Sequence, residues 1–403
     1  MRKIVVVGAG QAGFSLVSRL RTKGFTGTIT LLGEEADAPY QRPPLSKKYL
    51  SGEVDRERLY FRPEGYYADN SIDFRPSTRV LDIDRQNRRV TLPDETLNFD
   101  ALVLATGSRP RKLPAEMGGA LENLFYVRTL ADIDAMQPNF QQGARLLIIG
   151  GGYIGLETAA VAVQLGLDVT LLEAAPRILD RVTGPQTADF YRRVHSENGV
   201  RLIEGVGLDR LTGTTKVDGA ILSDGTTIAA DFAIAGVGAL PNTDLAEAAA
   251  LDIENGIKVN EFCYTSDPAI FAIGDCASFP QDGLRLRLES VPNAIDQANV
   301  AADVILGEPT EYRVKPWFWS DQFNIKLQIA GLNIGYDQTI QRVGPKPESM
   351  SVWYFRNARL IAVDAANDPA AYLTGKRWIE ARVSPEPTDI ADQSKPLKKL
   401  VAK

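Results

Sequence analysis

Two short glycine-rich segments have the spacing G-x-G-x-x-G, which is typical of loops that bind the pyrophosphate of a dinucleotide. Their glycines are Gly8, Gly10 and Gly13 in the first segment and Gly150, Gly152 and Gly155 in the second. In such a loop the first glycine permits a tight turn, the second lets the backbone approach the pyrophosphate, and the third brings the helix close to the strand. The N-terminus of the following helix offers free N–H groups to the anion. The chain is therefore predicted to bind two dinucleotides.

An acidic residue follows each glycine segment at the distance expected for a contact with an adenosine ribose. Glu34 follows the first segment and Glu173 the second, each at the end of an apolar run. A carboxylate there can accept hydrogen bonds from both ribose hydroxyls, while it repels a 2′-phosphate. Glu173 therefore favours NADH over NADPH, although Arg177 could lie near the ribose edge and weaken this preference. Either glutamate alone could be an ordinary surface charge, and the repeated context favours the binding role.

The elements that must position these residues belong to one repeated strand–turn–helix–strand unit. Ile4–Val7 and Leu146–Ile149 are continuous apolar runs, which predict parallel strands buried on both faces. The stretches that follow the loops, from Gln11 and over Leu156–Leu165, predict helices packed on the sheet. The repeat indicates an α/β fold with two Rossmann-like dinucleotide-binding domains.

The pattern changes beyond about Tyr312, where no third glycine segment occurs. Apolar runs at 326–330, 350–355 and 360–363 predict strands of a separate C-terminal α+β domain. The last dozen residues are predicted to form a solvated basic tail, with Lys395, Lys398, Lys399 and Lys403.

The composition of the 403-residue chain narrows the class of function. A net charge of −6 disfavours nucleic-acid binding, and no apolar run approaches the roughly 20 residues of a membrane span. The two cysteines, Cys263 and Cys276, form no C-x-x-C pair, so a reducing compartment and a cytoplasmic location are expected. No His/Cys cluster predicts a metal site. The single histidine, His195, is expected on a surface helix without a catalytic role.

Several further segments identify a family. They are Gln41–Lys47, the loop from Gly150 to Glu157, Gly274-Asp275-Cys276, Glu289–Ala294 and Pro316–Gln322. These segments resemble the FAD-dependent pyridine-nucleotide oxidoreductases of glutathione-reductase-like fold. More narrowly, the chain resembles the oxygenase-coupled, putidaredoxin reductase-like NADH:ferredoxin reductases. The last two segments are the most specific, and the resemblance extends over essentially the whole chain.

The resemblance implies a division into domains and a set of cofactor contacts. It implies an FAD-binding domain of residues 1–109 and 237–311, an NADH-binding domain of residues 110–236 and a C-terminal domain of residues 312–403. The implied FAD contacts are Gly8, Gly10, Ala12, Gly13, Glu34, Arg42, Lys47, Val80, Arg128, Asp275, Val291 and Trp319. The implied NADH contacts are Gly150, Gly152, Tyr153, Ile154, Gly155, Glu157, Glu173 and Gly238, with Glu289 a further candidate and its neighbour Ser290 also assigned to the cofactor site.

Two implied residues carry the catalytic expectation. The resemblance puts Lys47 near flavin N5, where its ammonium would stabilise negative charge on the ring, with Glu157 as the partner that fixes its position. Without the resemblance, Lys47 could equally be a surface lysine after a Pro-Pro turn. Trp319 and its neighbour Trp317 could likewise be core aromatics.

The route of the electrons follows from a missing thiol. The disulfide reductases of this fold need a C-x-x-C pair, and their peroxidase and NADH oxidase relatives need a single redox cysteine near Arg42. Residues 35–60 contain no cysteine. Electrons are therefore expected to pass from the flavin to an external [2Fe-2S] ferredoxin, docked at a basic patch with Arg62, Lys326 and Lys398 as candidate members. Rubredoxin or a quinone could accept them instead. An apoptosis-inducing-factor-like protein that acts through binding partners is a further alternative.

Overall fold

The computed structural model describes residues 3–400, which fall into two compact units. The first unit contains the described residues up to Arg42 together with Asp55–Arg109 and Ala239–Val314. The second contains Pro43–Val54, Pro110–Gly238 and the described residues from Lys315 onward. The division into three domains stays a prediction.

The two units are built from short helices and strands of ordinary length. The helices are α1 (Gln11–Thr22), α2 (Gly65–Asp69), α3 (Leu130–Met136), α4 (Tyr153–Gln164), α5 (Pro185–Glu197), α6 (Asp244–Ala248), α7 (Val291–Ile305), α8 (Pro369–Glu380) and α9 (Pro387–Ala391). The strands are β1 (Lys3–Val7), β2 (Thr28–Leu32), β3 (Ile72–Arg75), β4 (Asp82–Asp84), β5 (Arg89–Thr91), β6 (Thr96–Asn98), β7 (Ala101–Leu104), β8 (Ser108–Pro110), β9 (Leu124–Phe125), β10 (Arg145–Ile149), β11 (Asp168–Glu173), β12 (Arg201–Glu204), β13 (Leu208–Thr212), β14 (Gly219–Leu222), β15 (Thr227–Ala229), β16 (Phe232–Ala235), β17 (Ala239–Pro241), β18 (Ile257–Lys258), β19 (Ile270–Ala272), β20 (Ala277–Gln281), β21 (Leu284–Leu286), β22 (Trp317–Gln322), β23 (Ile325–Gly331), β24 (Gln338–Val343), β25 (Met350–Arg356) and β26 (Arg359–Ala366).

The first unit is organised around a parallel sheet with the strand order β19-β7-β1-β2-β3. Both faces of the sheet are covered, as the continuous apolar run of β1 predicts. Ile4 and Val6 pack with residues of α1 and α7, whereas Val5 and Val7 pack in a second cluster with residues of the β4-β5-β6 sheet. An ion pair of 2.5 Å between Arg19 and Asp303 joins α1 to α7. The carboxyl end of β1 is therefore fixed between two apolar layers.

The second unit contains a parallel sheet of the same design, with the order β12-β11-β10-β16-β9. Its central strand β10 lies between β11 and β16, as β1 lies between β2 and β7. In both sheets the glycine loop leaves the carboxyl end of the central strand, which is where ligands bind in open α/β sheets. The predicted α/β fold with two Rossmann-like sheets is confirmed.

The second unit also contains an antiparallel sheet with the order β22-β23-β26-β25-β24. The three strand runs predicted in the C-terminal region correspond to β23, β25 and β26, each extended by one or more residues. Helix α8 packs on one face, in an apolar cluster that includes Trp353, Val363 and Trp378. The other face carries Phe318, Ser320 and Gln322 toward α4 and α5.

The C-terminal tail is only partly solvated, since Lys395, Lys398 and Lys399 are exposed as predicted but other residues of the segment are held against the C-terminal sheet. The buried guanidinium of Arg342 donates hydrogen bonds to the carbonyl oxygens of Ile390, Asp392 and Lys395, at 2.7, 3.0 and 3.1 Å. Leu397 and Leu400 pack against the apolar cluster under α8. The sequence does not predict these contacts, because the apolar Leu397 and Leu400 lie within a run of lysines that indicates an exposed segment. Lys403 lies outside the described residues.

Across residues 3–400, no helix combines the length and the apolar character that crossing a bilayer requires.

Candidate functional site

The first glycine loop has the geometry of a pyrophosphate cradle. Gly8 has a φ of +113°, and a Cβ atom on it would lie 2.1 Å from the carbonyl oxygen of Ala105, so only glycine fits. A Cβ on Gly13 would lie 2.0 Å from the carbonyl oxygen of Gly8, so α1 packs directly against the loop. A Cβ on Gly10 would meet nothing within 4 Å. The open side of the loop is therefore the side from which a pyrophosphate can approach.

The second loop repeats this geometry. Gly150 has a φ of +111°, and its Cβ would lie 2.3 Å from the carbonyl oxygen of Gly236. A Cβ on Gly155 would lie 2.1 Å from the carbonyl oxygen of Gly150, whereas one on Gly152 would meet nothing within 4 Å. Each of the three glycines thus has the same steric role as its counterpart in the first loop.

Both loops leave the first turn of a helix available to an anion. Gly10 is the N-cap residue of α1 and Gly152 that of α4, and no side chain caps either helix. Tyr153 and Ile154 open α4, and Ile154 is 47% exposed. Because uncapped N–H groups and the helix dipole attract negative charge, the two helix ends fit two pyrophosphates.

The two ribose acids occupy different positions, which the sequence did not reveal. Glu173 is the last residue of β11, and its carboxylate accepts hydrogen bonds of 2.7 Å from the backbone N–H groups of Gly151 and Ala175. Glu34 lies beyond the end of β2, and its side chain is 73% exposed. Glu173 therefore lies within its strand, whereas Glu34 follows the end of β2, at Leu32, by two residues.

Arg177 is engaged elsewhere than at Glu173. Its guanidinium forms an ion pair of 2.8 Å with Asp180 and donates to the carbonyl oxygen of Thr183 at 3.3 Å. The loop that carries it folds back on the glycine loop, where Leu179 N–H donates to the carbonyl oxygen of Gly151. The ion pair with Asp180 lowers the positive charge that Arg177 would offer to a 2′-phosphate.

Asp275 lies at the carboxyl end of β19, beside the end of β7. It belongs to a 3₁₀ turn, Gly274–Cys276, and its carboxylate accepts a hydrogen bond of 2.9 Å from Ser108. The backbone between these strands is fixed by Asn242, whose side-chain amide donates to the carbonyl oxygen of Thr106 at 2.8 Å. A half-exposed carboxylate held in this way can accept further hydrogen bonds from a polyhydroxyl chain.

Arg42 has a partner that sequence reasoning missed. Its guanidinium forms an ion pair of 2.5 Å with Glu35 and donates to the hydroxyl of Tyr40 at 3.0 Å. Tyr40 in turn donates to Glu35 at 2.5 Å. The sequence signal for this partner is the second of two consecutive acids, Glu34 and Glu35. The carboxylate of Glu35 positions Arg42 in the first unit.

The N-terminus of α7 collects three predicted residues. Ser290 is the N-cap and accepts a hydrogen bond from Asn293 N–H at 3.3 Å, and Val291 is the first helical residue. Glu289 is exposed and forms an ion pair of 2.6 Å with Arg287. The hydroxyl of Ser290 is therefore committed to capping the helix.

Three other predicted residues occupy separate positions. Val80 is buried in the apolar cluster of the first unit that also contains Val5 and Val7. Arg128 immediately precedes the capping box of α3, and its N–H donates to Asp132 at 3.1 Å. Gly238 follows β16 with a φ of +108° and open space where a Cβ would lie. None of these features tests the cofactor contacts implied for them.

Lys47 and Glu157 form a buried ion pair in the second unit. Lys47 Nζ lies 2.6 Å from Glu157 Oε2, and the two side chains are 16% and 4% exposed. Two hydroxyls, of Ser46 and Ser320, also donate to the Glu157 carboxylate, each at 2.6 Å. Burial raises the pKa of the Glu157 carboxyl, and the Lys47 ammonium and the two hydroxyls oppose that rise. The arrangement holds a cation on the helix that begins at the second glycine loop.

The aromatic residues of β22 divide between the two faces of the strand. Trp317 and Trp319 stack with their ring centroids 5.4 Å apart, and Lys376 lies 5.1 Å from the centre of the Trp317 ring. Phe318 packs on Tyr153, with centroids 4.6 Å apart. Both tryptophans remain partly exposed, which distinguishes them from the fully buried Trp353 of the same sheet.

His195 is buried and not on the surface as expected. It lies on α5, which the sequence predicted, but its side chain is fully enclosed and its Nε2 lies 2.8 Å from Gln322 Oε1. The amphipathic pattern of α5 alone cannot show that the C-terminal sheet covers this face. Burial lowers the pKa of His195 to about 4, so the imidazole is neutral.

Comparison with protein families and with other proteins identifies the chain. Residues 2–298 match the family described as pyridine nucleotide-disulphide oxidoreductase, and residues 317–401 match the reductase C-terminal domain. Putidaredoxin reductase CamA of Pseudomonas putida is 42% identical over 99% of this chain and 96% of its own length. The rubredoxin-NAD(+) reductase of Pseudomonas putida is 37% identical over 91% of this chain and 96% of its own length.

A solved structure gives the same result. The reductase in the covalent putidaredoxin reductase–putidaredoxin complex superposes with a TM-score of 0.95 and 42% identity, over 99% of this chain and 98% of that one. Members of this family use FAD and NAD(H), and the two glycine loops fit both dinucleotides. The chain therefore belongs to the pyridine nucleotide-disulphide oxidoreductase family and, within it, to the FAD-dependent ferredoxin reductases of the putidaredoxin reductase type.

Proposed function

We propose that this chain transfers reducing equivalents from NADH to a [2Fe-2S] ferredoxin that serves a cytochrome P450 or a ring-hydroxylating oxygenase. The observation that carries the proposal is the buried pair of Lys47 and Glu157, with 2.6 Å between its charged atoms. A cation that is enclosed in the protein and anchored by a carboxylate can stabilise negative charge on a neighbouring redox group without first reorganising water.

Bound FAD supplies the chemistry, because its ring accepts a hydride from nicotinamide and gives up electrons one at a time. The residues of the chain would bind the two dinucleotides and orient their rings. The loops at Gly8 and Gly150 would hold the two pyrophosphates, Asp275 would accept hydrogen bonds from the ribityl hydroxyls, and Glu173 would accept them from the adenosine ribose of NADH. Lys47 would supply a positive charge that stabilises negative charge on the flavin ring, and Glu157 would keep its ammonium in place.

The electrons leave the protein without passing through a thiol. Cys263 and Cys276 are free and fully buried, and burial raises the pKa of the Cys263 thiol to about 12. A buried protonated thiol is a poor nucleophile and a poor redox partner. The free cysteines also support a location in the cytoplasm, which is part of this proposal.

A local basic patch is proposed to dock the acidic ferredoxin. Arg62, Lys326 and Lys398 are exposed, and none of them forms an ion pair with any residue between 3 and 400. Lys326 lines a surface pocket of about 280 Å³ together with Lys346 and Asn367. Unpaired cations on a chain with a net charge of −6 can steer an acidic partner during its approach.

The docking patch is tested by charge reversal. Arg62→Glu, Lys326→Glu and Lys398→Glu are each expected to lower the rate of ferredoxin reduction at low ionic strength by about tenfold. Lys112→Glu, which reverses another exposed cation, should leave the rate unchanged. Reduction of a small neutral acceptor should be the same in all variants. A ferredoxin rate that does not depend on salt would contradict the patch.

The proposed function is tested by rapid mixing of the FAD-loaded protein with NADH and then with an electron carrier. The visible flavin absorbance should bleach on the first mix and recover on the second when the carrier is a [2Fe-2S] ferredoxin. Rubredoxin and a quinone are the comparison carriers. Faster recovery with rubredoxin would favour that carrier over ferredoxin. A stable reduced complex that recovers with none of them would favour a protein that acts through binding partners.

A further inference from the structure

Four hydrogen-bonded side chains, those of Glu157, Ser320, Gln322 and His195, lead from the Glu157 carboxylate into the core of the second unit, and we call them the relay. Ser320 Oγ lies 2.6 Å from Glu157 Oε1, Gln322 Nε2 lies 3.0 Å from Ser320 Oγ, and His195 Nε2 lies 2.8 Å from Gln322 Oε1. All four side chains are at most 4% exposed. Buried polar groups of this kind are costly unless each hydrogen bond is made.

The direction of every bond in the chain follows from its chemistry. A carboxylate only accepts, so Ser320 must donate its single proton to Glu157. Ser320 can then only accept from Gln322, which turns the amide nitrogen toward Ser320 and the amide oxygen toward His195. Because an amide oxygen only accepts, His195 must carry its proton on Nε2. The charge of Glu157 thus selects the tautomer of a histidine three hydrogen bonds away.

Other contacts of His195 agree with this tautomer. Nδ1 is buried and has no hydrogen-bond partner among the described residues, as suits an unprotonated nitrogen better than an N–H group. The ring packs edge-on against Phe323, with centroids 5.1 Å apart. The imidazole is therefore held from both sides in one orientation.

We propose that Ser320, Gln322 and His195 are positioning residues, which fix the Glu157 carboxylate and through it the Lys47 ammonium. The proposal rests on the proposed function, in which this pair faces the flavin. The relay transmits orientation and not protons, because the Gln322 amide has no proton that it can pass on without forming a high-energy tautomer. Glu157 remains the residue that contacts Lys47, and the three others act only through it.

The first test reads His195 alone and does not depend on the flavin. The chain has one histidine, so a tag-free protein labelled with [¹⁵N]histidine gives a single imidazole spectrum. We expect the Nε2–H tautomer alone between about pH 5.5 and pH 9, since the pKa of His195 is about 4. An Nδ1–H tautomer, or a mixture of the two, would overturn the relay.

The same spectrum tests whether the two ends are coupled. Ser320→Ala removes the acceptor of Gln322, and exchange of the His195 Nε2 proton with solvent should accelerate by about three- to tenfold, the factor equivalent to one net hydrogen bond. The matched control is Thr187→Val, on the same helix as His195. This substitution removes an equally buried hydroxyl, which donates to the carboxylate of Asp364 at 2.8 Å. Equal exchange in Ser320→Ala and the wild type would overturn the proposal.

The second test reads the flavin. His195→Phe, Gln322→Met and Ser320→Ala break successive links at nearly constant volume, and Lys47→Met removes the cation itself. The midpoint potential of bound FAD should shift in the direction set by Lys47→Met, most in Ser320→Ala and least in His195→Phe, with no shift in Thr187→Val. Equal shifts in all variants, the control included, would overturn the relay. If Lys47→Met has no effect, the proposed role of the pair fails, and the histidine spectrum still decides whether the relay exists.

Discussion

At the scale of single residues, the chemistry of this protein depends on charges that are buried and paired. Lys47 and Glu157 are enclosed together, so each is stable only because of the other. Glu173 and Glu35 have a different task, since each fixes a neighbouring group, respectively the second glycine loop and Arg42. None of these carboxylates is an isolated surface charge.

The mutual dependence of Lys47 and Glu157 gives a prediction about stability. Lys47→Met should lower the free energy of unfolding by about 3–5 kcal/mol, because it leaves the Glu157 carboxylate buried without a counter-charge. Glu157→Leu should cost less, because the lysine is the more exposed partner. The double variant should be more stable than Lys47→Met. Urea unfolding of the four proteins measures this cycle, and additive losses would contradict it.

Glu173 gives a prediction about coenzyme preference. Glu173→Ala removes two charge-assisted hydrogen bonds within the protein and the proposed ribose contact. We expect kcat/KM for NADH to fall by about 10- to 100-fold, the range for one hydrogen bond to a charged group. The value for NADPH should fall less, because the repulsion of a 2′-phosphate is removed. Glu197→Ala, an exposed glutamate on α5, serves as control. An unchanged ratio of the two coenzymes would show that Glu173 does not set the preference.

At the scale of elements, the repeated strand–loop–helix unit separates what folding needs from what binding needs. The first and third glycines of each loop are packed against backbone, whereas the second faces open space. The same sequence motif therefore contains positions where a methyl group destroys the loop and positions where it only blocks a ligand.

This difference predicts three outcomes for the same substitution. Gly10→Ala should fold normally and lose FAD, whereas Gly152→Ala should fold, retain FAD and bind NADH at least about tenfold more weakly. Gly8→Ala should fail to fold or lose several kcal/mol of stability, because its Cβ would lie 2.1 Å from the carbonyl oxygen of Ala105. Flavin content after purification, NADH titration and circular dichroism distinguish the three. Loss of FAD in Gly152→Ala would exchange the assignment of the two loops.

At the scale of the whole molecule, two buried titratable groups give stability opposite dependences on pH. Burial raises the pKa of Asp364 from 3.8 to about 7, and burial lowers the pKa of His195 from 6.5 to about 4. The contribution of Asp364 to the free energy of unfolding is fully present below pH 4 and is lost as the pH rises through about 7. That of His195 is present above pH 6.5 and is lost as the pH falls through about 4. Between about pH 4 and pH 6.5 the two slopes oppose each other.

Removing one group should expose the slope of the other. As the pH rises from about 4 to about 7, the stability of Asp364→Asn relative to the wild type should increase by about 1.4 kcal/mol for each pH unit. His195→Phe should become less stable by a similar amount for each unit between about pH 4 and pH 6.5. Urea unfolding at pH 5, 6 and 7 gives both slopes. Curves that run parallel to that of the wild type would show that neither pKa is shifted by folding.

Most of the fold could be predicted from the sequence, because its signals are local. The signals for the repeated unit lie in consecutive residues: an apolar strand, the spaced glycines and then a helix. Each part constrains its neighbours through backbone sterics and helix capping. The family could be predicted for the same reason, since short motifs such as Glu289–Ala294 and Pro316–Gln322 are contiguous. The exposure of a side chain just beyond a strand could not be predicted in the same way, as Glu34 shows.

By itself the sequence determined the two Rossmann-like sheets, the two glycine loops and the membership of a reductase family. The family resemblance implied the pair of Lys47 and Glu157. Only the tertiary structure decided that Ser320 also binds Glu157, that Glu35 holds Arg42, that Arg342 anchors the C-terminal segment and that His195 is buried against Gln322. The physical reason is distance along the chain. Glu157 and Ser320 are 163 residues apart, and a contact between them depends on how a sheet covers a helix, which no local pattern specifies.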